Sequence, residues 1–166
     1  ARITTPEHRK LEVWPGASGY DARHVDPERR DLPSREELRE MGEIPTSWRH
    51  LIGVAGDFEE DLDALLELIE ATAKKLPGAG WILARPTGVK TSGESLEARL
   101  EKVRERVVVL EPGELGMPLF YALSDLFYVP RKRTDRIATV ALEAQAMGVP
   151  CVVHDVGLNA IFVEDG

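Results

Sequence analysis

From His50 onward, short apolar runs alternate with stretches in which apolar residues recur every three or four positions. The short runs are apolar almost throughout, which is typical of strands covered on both faces. The periodic stretches predict helices with one buried side. The predicted strands are 51–55, 81–84, 107–110, 126–129 and 151–153, and the predicted helices are 62–75, 96–103, 115–123 and 137–147. This alternation predicts an α/β fold: a doubly wound parallel sheet with helices on both faces.

The first 49 residues are less regular, because proline and glycine repeatedly interrupt any period. Leu11–Trp14 predicts a short strand, and Ser34 with Glu37 three positions later has the spacing of a capping box. A short helix is therefore expected to run to about Met41. We interpret residues 1–49 as a lead-in and 50–166 as the regular part of the same single domain. The end at Gly166 follows what looks like the start of another helix, so we expect a fragment of a longer protein.

The composition of the chain argues against several classes of function and location. The chain of 166 residues is long enough to bury a core, and its net charge of −8 argues against a nucleic-acid partner. No run approaches the roughly 20 apolar residues of a membrane span, and the polar start is no signal peptide. We therefore expect a cytoplasmic protein. The single cysteine, Cys151, lies in an apolar run and is expected to be a core thiol rather than a nucleophile.

Charge is distributed unevenly along the chain. Seven acidic residues and no basic one lie between Asp57 and Glu70, whereas Arg131–Arg133 forms a compact basic cluster. Two interpretations of the basic cluster stay open, a solvated loop and a contribution to an anion site.

Candidate ligand residues follow from the predicted sheet alone. In an open parallel sheet, ligands bind beyond the carboxyl ends of the strands. The residues that directly follow the predicted strands are Gly56–Asp57, Arg85, Glu111, Arg131–Asp135 and His154–Asp155. His154 could reach such a crevice, although an ordinary loop histidine is the competing interpretation. No cluster in the sequence has metal-ligand spacing.

The segment before helix 137–147 is the best anion site of these. Free backbone N–H groups at the start of a helix favour a phosphate. Asp135 is placed to cap the helix, whatever else it does. Glu143 lies about 12 Å further along the helix axis. It borders the buried stripe of the helix, where a carboxylate needs a partner such as ribose hydroxyls.

The motif itself resembles a known one. The sequence Asp-Arg-Ile-Ala-Thr-Val-Ala-Leu-Glu-Ala-Gln-Ala-Met-Gly-Val-Pro over 135–150 is similar to the donor site of retaining GT-B glycosyltransferases that use nucleotide sugars (glycosyl transferases group 1). The likeness continues in the segments 13–21, 35–44, 119–130, 156–157 and 163–166. Nearly the whole chain therefore resembles the carboxyl-terminal, donor-binding domain of that family, a Rossmann-like half of a GT-B fold.

The resemblance implies a role for each matching residue. Asp135 would contact the hydroxyls of the donor sugar as the catalytic carboxylate. The backbone amides of Ala138 and Thr139 would bind the diphosphate, and Glu143 would bind the ribose. The donor would be a UDP- or GDP-linked hexose, with no metal or other cofactor required. The acceptor would come from an amino-terminal domain that this chain lacks, so the chain alone is expected to transfer nothing.

Departures from the family pattern support a second hypothesis. The family places an arginine and a lysine after the first strand as diphosphate ligands, whereas this chain has Asp57 followed by three more acids. Arg133 and Arg85 could replace the missing positive charge. If they do not, the chain is a non-catalytic binding or scaffold domain that has lost its diphosphate ligands.

Overall fold

The computed structural model describes residues 2–4, 10–12, 33–55, 58–85, 96–111, 116–130 and 139–154. It contains two sheets, one of two antiparallel strands and one of five parallel strands. The strands are β1 (Arg2–Thr4), β2 (Lys10–Glu12), β3 (His50–Val54), β4 (Ala79–Ala84), β5 (Val107–Leu110), β6 (Leu126–Val129) and β7 (Cys151–Val153). The α-helices are α1 (Arg35–Met41), α2 (Leu62–Lys75), α3 (Leu96–Leu100), α4 (Met117–Leu123) and α5 (Thr139–Ala146).

The five-stranded sheet has the order β5-β4-β3-β6-β7. The strand that comes first along the chain, β3, is therefore central, with β4 on one side and β6 on the other. This is the strand order of a Rossmann-like half, 3-2-1-4-5, and it confirms the predicted doubly wound fold. All five predicted strands of this sheet are present.

Two hydrophobic cores lie on opposite faces of the sheet. Because successive strand residues point to opposite faces, Leu51 packs into the core under α1, α4 and α5, while Ile52 packs into the core under α2 and α3. Ile82 and Leu83 divide between the two faces in the same way. The continuous apolar runs in the sequence are thus explained by coverage on both sides.

Helix α1 begins as its sequence predicts. The Ser34 hydroxyl accepts a hydrogen bond from the Glu37 backbone N–H, and the Glu37 carboxylate accepts one from the Ser34 N–H at 2.7 Å. These two bonds satisfy donors that the first turn of a helix leaves free, and they confirm the capping box.

A carboxylate fastens α1 to the amino-terminal edge of the sheet. Asp125, directly before β6, accepts hydrogen bonds from Arg35 Nη2 at 2.6 Å and from the Leu51 N–H at 2.8 Å. Arg35 also donates to the Leu123 carbonyl, at the end of α4. Burial alone would raise the pKa of Asp125, but these two donors and the Arg35 charge outweigh it and hold that pKa below its ordinary value.

Two glycines allow helix and loop residues to approach this face closely. A Cβ at Gly80 would overlap the ring of Trp48, which is itself buried. A Cβ at Gly53 would collide with the Ser124 hydroxyl and press on the rings of Phe120 and Phe127. Both positions therefore require a residue without a side chain.

Several boundaries differ from the sequence-based prediction. The predicted helix 96–103 is α-helical only to Leu100 and continues as a 3-10 helix over Glu101–Arg106. Side chains three apart share a face in a 3-10 helix, and Leu100 and Val103 are both buried. The strand predicted at 11–14 is observed as Lys10–Glu12, paired with β1, which the sequence did not predict. Trp14 lies outside the described residues.

Candidate functional site

The strand order defines where a ligand fits. The strands that follow β3 along the chain, β4 and β5, lie on one side of it. The last two strands, β6 and β7, lie on its other side. The carboxyl ends of β3 and β6 are therefore the point where the winding direction reverses. Ligands of open α/β sheets bind in the crevice at this point.

Part of the predicted site lies outside the described residues. This applies to Arg133, Asp135 and Ala138, and to Gly56 and Asp57 at the end of β3. The described members of the predicted site are Thr139, Glu143 and Arg85.

Helix α5 carries two of the predicted residues. Thr139 is its first residue and is exposed. Glu143 follows one turn later, about 6 Å along the axis, and is half-buried. Side chains on a helix lean toward its amino terminus, so Glu143 leans toward the carboxyl edge of the sheet. Ala141 and Ala144 on either side of it are buried, as the predicted stripe requires.

Glu143 has a partner that the sequence reading missed. The Tyr121 hydroxyl, on α4, donates a hydrogen bond of 2.6 Å to Glu143 Oε2. This length is typical of an O–H donor bound to a carboxylate. A tyrosine in the otherwise apolar stretch Met117–Leu123 was the available signal, because a buried phenol nearly always needs a polar partner.

Tyr121 is held rigidly in the core. It is fully buried, and its ring packs edgewise on Phe127 with the ring centres 5.3 Å apart and on Phe120 at 6.4 Å. Burial first, then the hydrogen bond to Glu143 and its negative charge, raise the pKa of the Tyr121 hydroxyl far above its ordinary value. The phenol therefore remains a hydrogen-bond donor at any physiological pH.

Arg85, the proposed source of positive charge, is already paired. It follows β4 and donates a hydrogen bond of 2.8 Å to Glu97 Oε1, near the start of α3. The Arg85 side chain is 26% exposed and that of Glu97 is 62% exposed. The pair lies at the carboxyl edge, one strand away from β3.

The start of α2 is acidic in the described residues as well. A 3-10 helix, Phe58–Asp61, leads into α2, and Asp63 in its first turn accepts a 2.7 Å bond from Arg99. Burial and then the negative charge of Asp61 raise the pKa of Tyr128, on β6.

His154 also reaches this edge. Its Nε2 lies 3.0 Å from the Tyr128 hydroxyl, and the two rings are 6.0 Å apart. The histidine directly follows β7 and the tyrosine belongs to β6. The pair is thus a hydrogen-bonded bridge between neighbouring strands, in accord with a satisfied loop histidine.

Cys151 behaves as a core thiol. Its sulfur contacts the carbonyls of Ala141 and Val149 at 3.5 Å. Burial raises the thiol pKa to about 11, which a hydrogen bond from Gln145 only partly offsets. A thiol with so high a pKa is a poor nucleophile at neutral pH.

The described segments show neither a metal-ligand cluster nor a helix that could span a membrane. They contain no group of three His, Cys, Asp or Glu side chains that could hold a metal ion. No helix among them combines the length and apolar character needed to cross a bilayer.

Solved structures with the same fold include a domain of known class. The chain is similar to the C-terminal domain of a glycosyl transferase group 1 family protein (LpcC) from Francisella tularensis, with a TM-score of 0.64 and 17% identity over 89% of this chain and 76% of that one. It is also similar to a putative UDP-N-acetylglucosamine 2-epimerase from Listeria monocytogenes, with a TM-score of 0.54 and 16% identity over 82% of this chain and 34% of that one. A comparison with the curated proteins gave no match.

The fold is thus a Rossmann-like α/β domain that is similar to the C-terminal domain of a glycosyl transferase group 1 family protein. The sequence profile of the family described as "Glycosyl transferases group 1" matches residues 49–166, which is most of the chain. The chain belongs to this family.

Proposed function

We propose that the chain is the donor-binding domain of a retaining glycosyltransferase that transfers a hexose from a UDP- or GDP-linked sugar. The observation that carries the proposal is Glu143. It is a half-buried carboxylate on the helix that follows β6, at the reversal point of the sheet, and a neutral hydroxyl holds it there. Ribose hydroxyls are donors that such a carboxylate can accept from.

The remaining contacts of the donor are part of the same proposal. Asp135 binds the hydroxyls of the transferred sugar, and the amides of Ala138 and Thr139 bind the diphosphate. Thr139 is compatible with this assignment because it is the first described residue of α5, and the starts of helices favour an anion. Arg133 and Arg85 add positive charge, and Arg85 does so by exchanging Glu97 for a phosphate oxygen.

The nucleotide test uses calorimetric titration of the chain with UDP, GDP and their hexose conjugates. We expect one of the two series to bind more tightly than millimolar. Glu143→Ala should weaken that binding strongly, whereas Glu67→Ala, an exposed glutamate of α2, should leave it unchanged. An affinity unchanged by Glu143→Ala would refute the ribose assignment.

Metal independence can be measured in the same titrations. The proposal includes no metal cofactor, because the diphosphate charge is met by helix N–H groups and arginines. Adding EDTA should leave the affinity unchanged, and a requirement for Mg²⁺ or Mn²⁺ would contradict this part.

Transfer itself needs a second domain in this proposal. The acceptor enters from an amino-terminal domain across the crevice, and a cytoplasmic location is part of the same hypothesis. We expect the chain alone to bind the nucleotide without transferring sugar. With the acceptor domain present, the product should keep the anomeric configuration of the donor, as NMR can show. Inversion would exclude the retaining mechanism.

A non-catalytic scaffold domain is the second candidate. The acidic start of α2 and the pairing of Arg85 with Glu97 favour it, because both weaken the site for a diphosphate. Absence of binding to every nucleotide tested, by a chain that is folded, would establish this candidate over the first.

A further inference from the structure

The two carboxylate oxygens of Glu143 have different surroundings. Oε2 accepts the hydrogen bond from Tyr121. In the part of the chain that the structure describes, the Glu143 side chain has no second hydrogen-bond partner. Oε1 therefore retains its acceptor capacity toward a ligand, while Oε2 fixes the direction in which the carboxylate points.

The donor of this bond cannot move away. The Tyr121 ring is locked between Phe120 and Phe127, and its hydroxyl is buried, where an unpartnered polar group would be costly. A glutamate side chain loses much rotamer freedom when it is fixed. Because Tyr121 fixes Glu143 during folding, less of that loss remains to oppose ligand binding.

The chemical nature of the donor matters as well. A neutral phenol orients the carboxylate but leaves its negative charge in place, unlike the arginine that neutralises Asp125. The oriented carboxylate therefore remains a strong acceptor for hydroxyl groups.

We propose, on the basis of the function proposed above, that Tyr121 is a positioning residue for ribose recognition. Its hydroxyl holds Oε2 of Glu143 so that Oε1 faces the 2′- and 3′-hydroxyls of the nucleotide. Tyr121 does not touch the ligand and acts only through Glu143. It thereby sets the preference of the site for a ribonucleotide.

The test compares two probes on Tyr121→Phe. They are the nucleoside diphosphate that the wild-type chain binds, UDP or GDP, and its 2′,3′-dideoxy analogue. We expect the ribonucleotide to bind about tenfold more weakly to the variant, which corresponds to one charge-assisted hydrogen bond. The dideoxy analogue should bind as before, since it has no hydroxyl for Glu143. A purely structural role of Tyr121 would weaken both probes by the same factor.

Ser124→Ala is the matched control. Its hydroxyl is also buried at the end of α4, and it donates to the Phe120 carbonyl at 2.9 Å. None of the hydrogen bonds among the described residues joins it to Glu143. Loss of this hydroxyl should leave both affinities, and therefore the ribose preference, unchanged.

A double variant isolates the route through Glu143. Tyr121→Phe should cause no further loss of ribonucleotide affinity when it is added to Glu143→Ala, because Tyr121 acts only through Glu143 and effects along one route are not additive. The double variant should also unfold at a higher temperature than Glu143→Ala alone, which leaves a buried hydroxyl without its partner. This second measurement remains informative if either single variant is too unstable to titrate.

The outcomes separate the two proposals. If the wild-type chain binds the nucleotide and folded Tyr121→Phe keeps the full ribose preference, the positioning role is wrong and the donor-binding function stands. A double variant no more stable than Glu143→Ala would likewise overturn the positioning role. If the wild-type chain binds no nucleotide, both proposals fail together.

Discussion

Two carboxylates on the same face of the sheet are held in opposite ways. Asp125, at the amino edge, accepts hydrogen bonds from an arginine and a backbone N–H, and its pKa is lowered. Glu143, on α5, accepts its hydrogen bond from a neutral phenol. The first is neutralised and joins α1 to two strands. The second keeps its charge and one oxygen free of described partners.

If the proposed function is right, the difference separates a structural carboxylate from a ligand-binding one. The Arg35 cation offsets the charge of Asp125, and the arginine and the Leu51 N–H, which both bind Oδ2, make it a strong link between distant segments. A neutral hydroxyl fixes the direction of Glu143 without using up its charge. The partner of a half-buried acid is therefore a better guide to its role than its burial.

Disturbed packing at the amino edge of the sheet should cause the largest loss in the free energy of unfolding. Gly80 pairs with Leu51 across the sheet, and Gly80→Val would force Trp48 out of its place. We expect a loss of about 3 kcal/mol in the free energy of unfolding, measured with urea. Gly78→Ala is the control, because a Cβ there meets only ordinary contacts with Arg49. Equal stability of the two variants would contradict the close approach.

Removing each carboxylate should have opposite consequences. Asp125→Ala should lower the free energy of unfolding by about 2 kcal/mol, because it removes two hydrogen bonds and leaves Arg35 unpaired. Its effect on nucleotide affinity in the folded protein should be small. Glu143→Ala should weaken nucleotide binding strongly with a smaller loss of stability. A strong effect of Asp125→Ala on affinity would remove the distinction between the two sites.

Low pH should reduce the contribution of Asp125, at the amino edge, to the free energy of unfolding. Because the pKa of Asp125 is lowered by folding, its contribution is complete above the ordinary value of 3.8 and is lost as the pH falls through the folded value. The stability of the wild type should therefore decline more steeply with acid than that of Asp125→Ala. Denaturation curves from neutral pH to about pH 3 measure this. If the stabilities of the wild type and Asp125→Ala declined in parallel with pH, Asp125 would not contribute to the acid dependence.

The smallest effect is expected at the pair of Arg85 and Glu97. Glu97→Gln should change stability by less than about 1 kcal/mol, because the pair is partly exposed. If Arg85 serves the diphosphate, freeing it should strengthen nucleotide binding a few-fold, and Arg85→Met should weaken it. No change in either variant would remove Arg85 from the proposed site.

Local patterns in the sequence were sufficient for most of the fold. The apolar runs located all five strands of the parallel sheet, and the spacing of Ser34 and Glu37 located the start of α1. These features depend on residues a few positions apart. The 3-10 helix after Leu100 was missed because residues 101–106 are mostly charged and only Val103 in that stretch is buried.

The contacts between distant segments were harder to predict. Tyr121 and Glu143 are 22 positions apart, and Arg35 and Asp125 are 90 apart. No periodicity brings such pairs together, since only the strand order does so. The sequence indicated Glu143 through its place on a helix, but its partner depends on how α4 and α5 pack over β6 and β7.

The central place of β3 has a consequence during synthesis. The ribosome completes β3 long before β6, so one side of the middle strand waits with unpaired N–H and C=O groups while the next 70 or so residues are made. An open strand edge of this kind can pair with the wrong partner. We expect Asp125 to end that interval, because its carboxylate accepts from the Leu51 N–H directly before β6 begins and so favours the native register of the strand.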